Sequence, residues 1–94
     1  MPLFALICID KPGALAVRME ARPRHLTYVE GLGERLKLAG PFLDEQGEMC
    51  GSLLIVDVDD LAAARAINAD DPYTQAGLWE RVEVRGFRGA IGDR

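Results

Sequence analysis

The sequence predicts an α+β domain built around a four-stranded antiparallel sheet. Three observations predict it: short apolar runs without helical periodicity, stretches with apolar residues at three- and four-residue spacing, and polar turns containing glycine or proline between them. The composition, 49% hydrophobic and 28% charged, is typical of a globular chain. Because 94 residues is the size of one small domain, we treat residues 1–94 as a single domain.

The first half of the chain is expected to form a strand and a split helix. Residues 3–9 are continuously apolar, which indicates a strand buried on both faces, or one covered by helix on one face and by a partner on the other. A short helix is expected over residues 14–21. Pro23 then restarts the chain, because a proline disfavours helical geometry in the residue before it. Helical spacing predicts a long second helix over residues 23–38, ended by Gly40-Pro41.

The second half of the chain begins with a predicted hairpin. Residues 41–43 and 51–58 flank a polar turn that contains Gly47. Asp59 or Asp60 is a suitable N-cap for the next helix, which should end near residue 69.

The remaining residues complete a recognisable order of elements. Asp71-Pro72-Tyr73 should open a short helical turn, and residues 78–87 should form the last strand. The resulting order, β-α-β-β-α-β, is the ferredoxin-like arrangement, in which both helices cover one face of the sheet. The opposite face is left bare, so we expect it to meet a second copy or to hold a ligand.

Charge, hydropathy and cysteine spacing exclude several classes of partner. The formal net charge is −4 and the basic residues are scattered, so we expect no nucleic-acid partner. No apolar run approaches the roughly 20 residues that cross a bilayer, and no export signal precedes the first strand, so we expect a cytoplasmic protein without a membrane span. Cys8 and Cys50 lack metal-ligand spacing; we expect Cys8 to be a small buried hydrophobe and expect no disulfide.

His25 is the only histidine and the best candidate for acid/base chemistry. The simpler interpretation is a surface histidine near a helix N-terminus. The functional interpretation is favoured by the nearby Arg18, Arg22 and Arg24, a cluster suited to an anionic substrate group, and by a carboxylate further along the chain, Asp71.

Asp71 and Ser52 each have a structural and a functional interpretation. Aspartate before proline is a common helix start, so capping alone would explain Asp71. A carboxylate bonded to an imidazole also fixes the tautomer that a general base needs, and the two roles are compatible. The Ser52 hydroxyl either only hydrogen-bonds a neighbouring protein group or, if it faces a pocket, binds a substrate oxygen. One histidine and scattered acids are a poor metal set, so we expect neither a metal nor a cofactor.

Several short motifs, in order along nearly the whole chain, resemble the YciI-like (YCII-related) family of small bacterial proteins. They are an apolar first strand, Arg22-Pro23-x-His25-Leu26, Ala39-Gly40-Pro41, Gly51-Ser52, and Asp71-Pro72-Tyr73 followed by Ala76-Gly77-Leu78. The resemblance implies a homodimeric ferredoxin-like α+β barrel, two sheets packed face to face around pockets. It also implies that His25 and Asp71 meet as a pair in the pocket.

Two functions from different classes remain open. The first is a cofactor-free lyase or isomerase acting on a small oxygenated ring compound, with His25 transferring a proton, Asp71 orienting it, and Arg22, Arg18, Ser52 and Tyr73 binding an anionic or phenolic substrate. The resemblance extends to a dehydrochlorinase of a chlorinated hydroxyhydroquinone from aromatic degradation. The second is a non-catalytic module that binds a small ligand or assists a neighbouring enzyme.

Overall fold

The computed structural model describes residues 2–92, so residues 1, 93 and 94 of the predicted domain lie outside the described part. Within it, a short 3₁₀ turn (Gly33–Arg35) separates the first helix from the second strand. The strands and helices, in chain order, are β1 (Leu3–Asp10), α1 (Leu15–Gly31), β2 (Leu36–Leu43), β3 (Met49–Asp57), α2 (Leu61–Asp70), α3 (Pro72–Gln75) and β4 (Trp79–Phe87).

The four strands form one sheet in the order β2-β3-β1-β4, and every neighbouring pair is antiparallel. This confirms the predicted ferredoxin-like arrangement. The register places Ser52 on β3 between Cys8 of β1 and Pro41 of β2. Ser52 therefore lies on an interior strand, beside the edge strand that carries the predicted glycine–proline motif.

The helices pack on one face of this sheet. Alternate residues of the central strands point toward them, and the main core joins these residues to the second half of α1 and to α2. Its buried members are Leu6, Val29, Leu32, Leu54, Val56, Val58, Ala64 and Ile67. A smaller cluster of Ala21, Tyr73 and Leu78 joins the first half of α1 to α3 and the start of β4. The helix that carries His25 is thus fixed against the sheet at two separate places.

The predicted break at Pro23 is wrong, because α1 continues through it without interruption. A proline inside a helix removes one hydrogen bond, which here leaves the carbonyl of Met19 without its helical partner. Pro23 and Met19 are both exposed, so water can satisfy that carbonyl. Ala21 and His25, on the two sides of the proline, are both buried, and their packing stabilises the continuous helix.

The predicted end of the long helix is also wrong. The helix ends at Gly31 rather than near residue 38, because Gly33 adopts a left-handed backbone with φ of 60° and terminates the helix. Leu36 already belongs to β2, and Leu38 on that strand is 61% exposed. Gly40-Pro41 lies within β2, where an edge strand tolerates a residue that cannot donate a hydrogen bond.

The later elements agree closely with the prediction. Asp60 caps α2 by accepting a hydrogen bond from the backbone N–H of Ala63 at 2.8 Å. Gly51, next to Ser52, lies where two strands approach closely. A Cβ at this position would lie 2.6 Å from the carbonyl oxygen of Cys8 and 2.9 Å from a ring carbon of Phe42, so only glycine fits there.

The other face of the sheet has an apolar centre flanked by charged residues, and no helix within residues 2–92 packs on it. Leu3, Ala5 and Ile7 of β1 lie beside Leu53 and Ile55 of β3 on this face. None of the helices described within residues 2–92 has the length and apolar character needed to cross a bilayer.

Candidate functional site

The candidate site is a cavity of about 210 Å³ between α1, the adjoining ends of β2 and β3, and the start of α3. Helix α1 contributes the polar part of its lining with Arg18, Arg22 and His25. The two strands contribute Ser52 and a largely apolar wall that includes the Ala39-Gly40-Pro41 segment and Met49. The cavity therefore has a basic helix face opposite a largely apolar sheet, and the hydroxyl-bearing side chains of Ser52 and Tyr73 both belong to its lining.

His25 and Asp71 form a buried hydrogen bond at this cavity. Nδ1 of His25 lies 2.9 Å from Oδ1 and 3.1 Å from Oδ2 of Asp71, and both side chains are nearly inaccessible to solvent. A carboxylate only accepts hydrogen bonds, so Nδ1 is the protonated nitrogen and donates. In the neutral ring the lone pair then resides on Nε2, while His25 contributes to the lining of the cavity.

The backbone around Asp71 explains how its carboxylate reaches the histidine. Asp71 ends α2 and is the N-cap of α3, and its Oδ1 accepts the backbone N–H of Tyr73 at 2.9 Å. Pro72 follows at the first helical position, where its missing N–H costs nothing. The capping bond fixes the carboxylate, which therefore holds the imidazole from a rigid support.

Tyr73 covers the histidine ring. The two rings are stacked with centroids 3.9 Å apart and planes 14° from parallel. Trp79 packs edge-on against the phenol at 5.5 Å, and its indole N–H donates to the Thr74 hydroxyl at 2.8 Å. Burial raises the pKa of the Tyr73 hydroxyl, with the Arg18 and Arg22 guanidiniums opposing that rise. Tyr73 therefore remains a neutral phenol that restricts the position of the imidazole.

Arg18 is held by a partner that the sequence did not reveal, Asp10. The guanidinium donates through Nε to Oδ2 at 2.8 Å and through Nη2 to Oδ1 at 2.9 Å, and both side chains are buried. Nη2 also donates to Oγ of Ser52 at 2.9 Å. Burial by itself would lower the pKa of Arg18, but the hydrogen bonds and negative charge of Asp10 outweigh burial and raise it. Arg18 is a permanently charged, internally neutralised cation.

The three arginines predicted to act as a cluster have different surroundings. Arg24 lies on the exposed side of α1 and pairs with Glu20 at 3.0 Å, away from the cavity. Arg18 lines the cavity but is neutralised by Asp10. Arg22 lines the cavity, is half-buried, and makes no hydrogen bond or ion pair with any residue between 2 and 92. Arg22 is therefore the one of the three whose charge faces the cavity uncompensated.

Two contributors to the site were missed from the sequence. Asp10 ends an apolar strand and precedes Lys-Pro-Gly, a context that is typical of a turn. Only its position on the helix-facing side of β1 could have indicated that its carboxylate is buried near the site. The Ala39-Gly40-Pro41 motif was interpreted as a helix end, whereas it forms a wall of the cavity. Within residues 2–92, no group of three or more His, Cys, Asp or Glu side chains is arranged to bind a metal ion.

Cys8 lies behind the site and is buried, as predicted. Its sulfur accepts a hydrogen bond from the Asn68 side-chain amide at 3.3 Å. Desolvation, followed by the negative charge of Asp71, raises the pKa of the thiol from 9.0 to about 12. Cys8 is therefore a neutral thiol at physiological pH and not a nucleophile.

Comparison with known proteins identifies the class to which this fold and site belong. The family model described as the YCII-related domain matches residues 2–88. The chain belongs to this family, as its motifs indicated.

Individual relatives extend the comparison. Protein YciI of Escherichia coli O6:H1 is 34% identical over 94 residues, which cover 92% of this chain and 96% of the relative. An uncharacterized protein of Haemophilus influenzae is 31% identical over 93 residues, which cover 90% and 95%. The chain is also similar to a solved structure, the 5-chloro-2-hydroxyhydroquinone dehydrochlorinase TftG of Burkholderia phenoliruptrix AC1100 in complex with 2,5-dihydroxybenzoquinone. That match has a TM-score of 0.84 and 31% identity, and it covers 92% of this chain and 93% of the enzyme.

Proposed function

We propose that this protein is a lyase that eliminates HCl from a small chlorinated hydroxyhydroquinone, using His25 for proton transfer. The observation that carries the proposal is the hydrogen bond from Nδ1 of His25 to Asp71, which leaves the Nε2 lone pair free on a residue that lines the cavity. The similarity to a dehydrochlorinase supports the reaction class and the substrate class.

The size and charge of the cavity support a single-ring substrate. A dry protein cavity of about 150 Å³ accommodates benzene, so about 210 Å³ suits one ring with several substituents. The uncompensated charge of Arg22 favours a substrate that is, or becomes, a phenolate. The apolar wall formed by residues such as Pro41 and Met49 suits the faces of the ring.

The elimination balances without an external oxidant or reductant. Nε2 of His25 takes a proton from a ring hydroxyl, and the electron density of the phenolate moves toward the carbon that carries chlorine. The imidazolium returns the proton to that carbon, forming a C–H bond and a keto tautomer. The C–Cl bond then breaks with its electron pair on chloride, while a second hydroxyl loses its proton and becomes a carbonyl. The products are a hydroxybenzoquinone, chloride and a proton.

Asp71 has a defined role in this scheme. Its carboxylate fixes the Nδ1–H tautomer and stabilises the imidazolium after Nε2 has accepted a proton. Positioned acid/base catalysis of this kind contributes roughly 10²- to 10⁴-fold to a rate. The same groups would also serve an isomerase that moves a proton between ring positions, so a muconolactone-type substrate belongs in the test.

The test is chloride release from 5-chloro-2-hydroxyhydroquinone, with product analysis, for wild type, His25→Ala and Asp71→Asn. Thr27→Val is the matched control, because Thr27 lies on the exposed side of the same helix. The expected result is release by wild type and the control, reduced by about 10²-fold or more in the two site variants. Activity that survives in both site variants would remove His25 and Asp71 from the mechanism. Saturable binding without product would instead favour the ligand-binding module.

We also propose that the protein is a homodimer joined through the bare face of the sheet. The apolar residues of that face support burial against a like surface. Asp57, on the same face, has a buried carboxylate oxygen without a hydrogen-bond partner among residues 2–92. Sedimentation equilibrium of wild type and Leu38→Lys, a change at an exposed position of this face, tests this. The expected masses are those of a dimer and a monomer, and a monomeric wild type would contradict the proposal.

A further inference from the structure

The polar groups of the cavity differ in whether they are already occupied. His25 is bonded to Asp71 through Nδ1, and Arg18 is bonded to Asp10 through two nitrogens. Ser52 is different because only one side of its hydroxyl is used. Its Oγ accepts from Nη2 of Arg18, and its own hydrogen is donated to no acceptor within residues 2–92.

This arrangement orients the hydroxyl hydrogen of Ser52. A hydroxyl has one hydrogen and two lone pairs, and the guanidinium occupies the lone-pair side. Ser52 is 3% exposed and lines the cavity, so the space left for its hydrogen includes the cavity. A hydroxyl that accepts from a cation is also a stronger donor, since successive hydrogen bonds polarise one another.

Asp10 fixes this orientation from outside the cavity. It does not belong to the cavity lining, and its side chain is buried against Arg18. A planar guanidinium bonded at two atoms by one carboxylate cannot rotate freely, so its third hydrogen bond has a fixed direction. The direction of the Ser52 hydroxyl is thereby set by Asp10.

Starting from the proposed function of the same cavity, we propose that Ser52 donates a hydrogen bond to a negatively charged ring oxygen of the substrate, and that Asp10 positions Ser52 through Arg18. Ser52 is then a binding residue and Asp10 a positioning residue. Because Arg22 supplies the free positive charge beside this donor, the ligand class is a hydroxyquinone or quinol anion.

The experiment measures the affinity for 2,5-dihydroxybenzoquinone, a ring with ionisable hydroxyls and no chlorine, by titration calorimetry. The proteins are wild type, Ser52→Ala, Ser52→Thr, Asp10→Asn and the double variant Asp10→Asn/Ser52→Ala, with Thr27→Val as the hydroxyl-deletion control. Loss of a hydrogen bond to a charged oxygen predicts about 10- to 100-fold weaker binding by Ser52→Ala. Ser52→Thr keeps the donor and should retain most of the affinity.

The double variant distinguishes a positioning role of Asp10, exerted through Ser52, from a merely structural role. If Asp10 acts through Ser52, Asp10→Asn weakens binding in the wild-type background but has no further effect once Ser52 is alanine. Thermal unfolding verifies that each variant is folded. If Asp10→Asn does not fold, Arg18→Lys replaces it, because lysine keeps the charge but cannot form the planar fork.

The inference is overturned by unchanged affinity in Ser52→Ala, by additive losses in the double variant, or by a wild type that does not bind the quinone. Chloride release measured in parallel separates it from the proposed function. Binding that depends on Ser52 without chloride release would contradict the lyase and leave the donor standing. Chloride release with Ser52-independent binding would support the lyase and overturn the role of Ser52 as a donor.

Discussion

Nδ1 of His25 lies 2.9 Å from Oδ1 of Asp71, although 46 positions separate the two residues in the chain. The same Oδ1 accepts the backbone N–H of Tyr73, in the first turn of α3. One carboxylate therefore starts a helix and holds the imidazole, and substitutions at Asp71 can separate these two functions.

Asp71→Asn should keep the helix start and lose the activity. Asparagine caps helices about as well as aspartate, so the melting temperature should remain close to that of wild type. With its oxygen kept at the cap, its amide nitrogen replaces Oδ2, 3.1 Å from Nδ1, and donates a hydrogen bond to Nδ1. This donor favours the Nε2–H tautomer, which removes the base. Asp71→Ala should lose the cap as well, at a further cost of about 1 kcal/mol in the free energy of unfolding. Thermal unfolding and chloride release check both; equal stability of the two variants would contradict the capping role.

Asp10→Ala should strongly destabilise the protein, because it leaves the Arg18 guanidinium buried without its counter-charge. Breaking a buried pair in this way costs about 3–5 kcal/mol. The exposed pair Arg24–Glu20 on α1 is the matched control, and Glu20→Ala should cost far less, because solvent screens an exposed ion pair. Urea unfolding measures both variants. Similar values for the two would show that the buried pair is not a structural element.

Gly51→Ala should destabilise the sheet because the new methyl group meets backbone. Its nearest neighbour would be the Cys8 carbonyl oxygen at 2.6 Å, which belongs to a central strand and cannot move aside. Overpacking of this kind typically costs about 1–3 kcal/mol. Gly86→Ala is the control, because Gly86 lies in a strand with open space around it. A Gly51→Ala variant as stable as Gly86→Ala would contradict the close strand approach.

The two cysteines should differ in reactivity and in their effect at alkaline pH. With a pKa near 12, Cys8 should resist alkylation at pH 8 until the protein unfolds, whereas the part-exposed Cys50 is accessible. Because folding raises the pKa of Cys8 from 9.0, its contribution to stability is complete below pH 9 and is lost as the pH rises toward 12. Cys8→Ala should therefore reduce the loss of stability over that range. Rapid alkylation of both thiols in the folded protein would exclude this burial.

The sequence predicts most of the fold because most of its signals are local. Asp60 and Asp71 mark helix starts through side chains that bond their own backbone, and both are observed as N-caps. The boundary between α1 and β2 was wrong because apolar spacing alone does not distinguish Leu36 and Leu38 in a strand from the same residues in a helix. There the left-handed backbone of Gly33 overrides the spacing.

The site is less accessible from the sequence because its contacts are not local. His25 was singled out as the only histidine, but its pairing with Asp71 followed from the family resemblance and not from spacing. The pairing of Asp10 with Arg18 and Ser52 depends on how α1 crosses two strands, which no local pattern encodes.

The most direct test of the central claim is the ¹⁵N spectrum of the imidazole, followed to the pH at which the ring is neutral. His25 is the only histidine, so its signals need no assignment by mutation. The expected spectrum shows a protonated Nδ1 and an unprotonated Nε2, and Asp71→Asn should reverse it. A wild-type ring protonated at Nε2, or one that averages both tautomers as free imidazole does, would contradict the claim that Asp71 prepares His25 as the base.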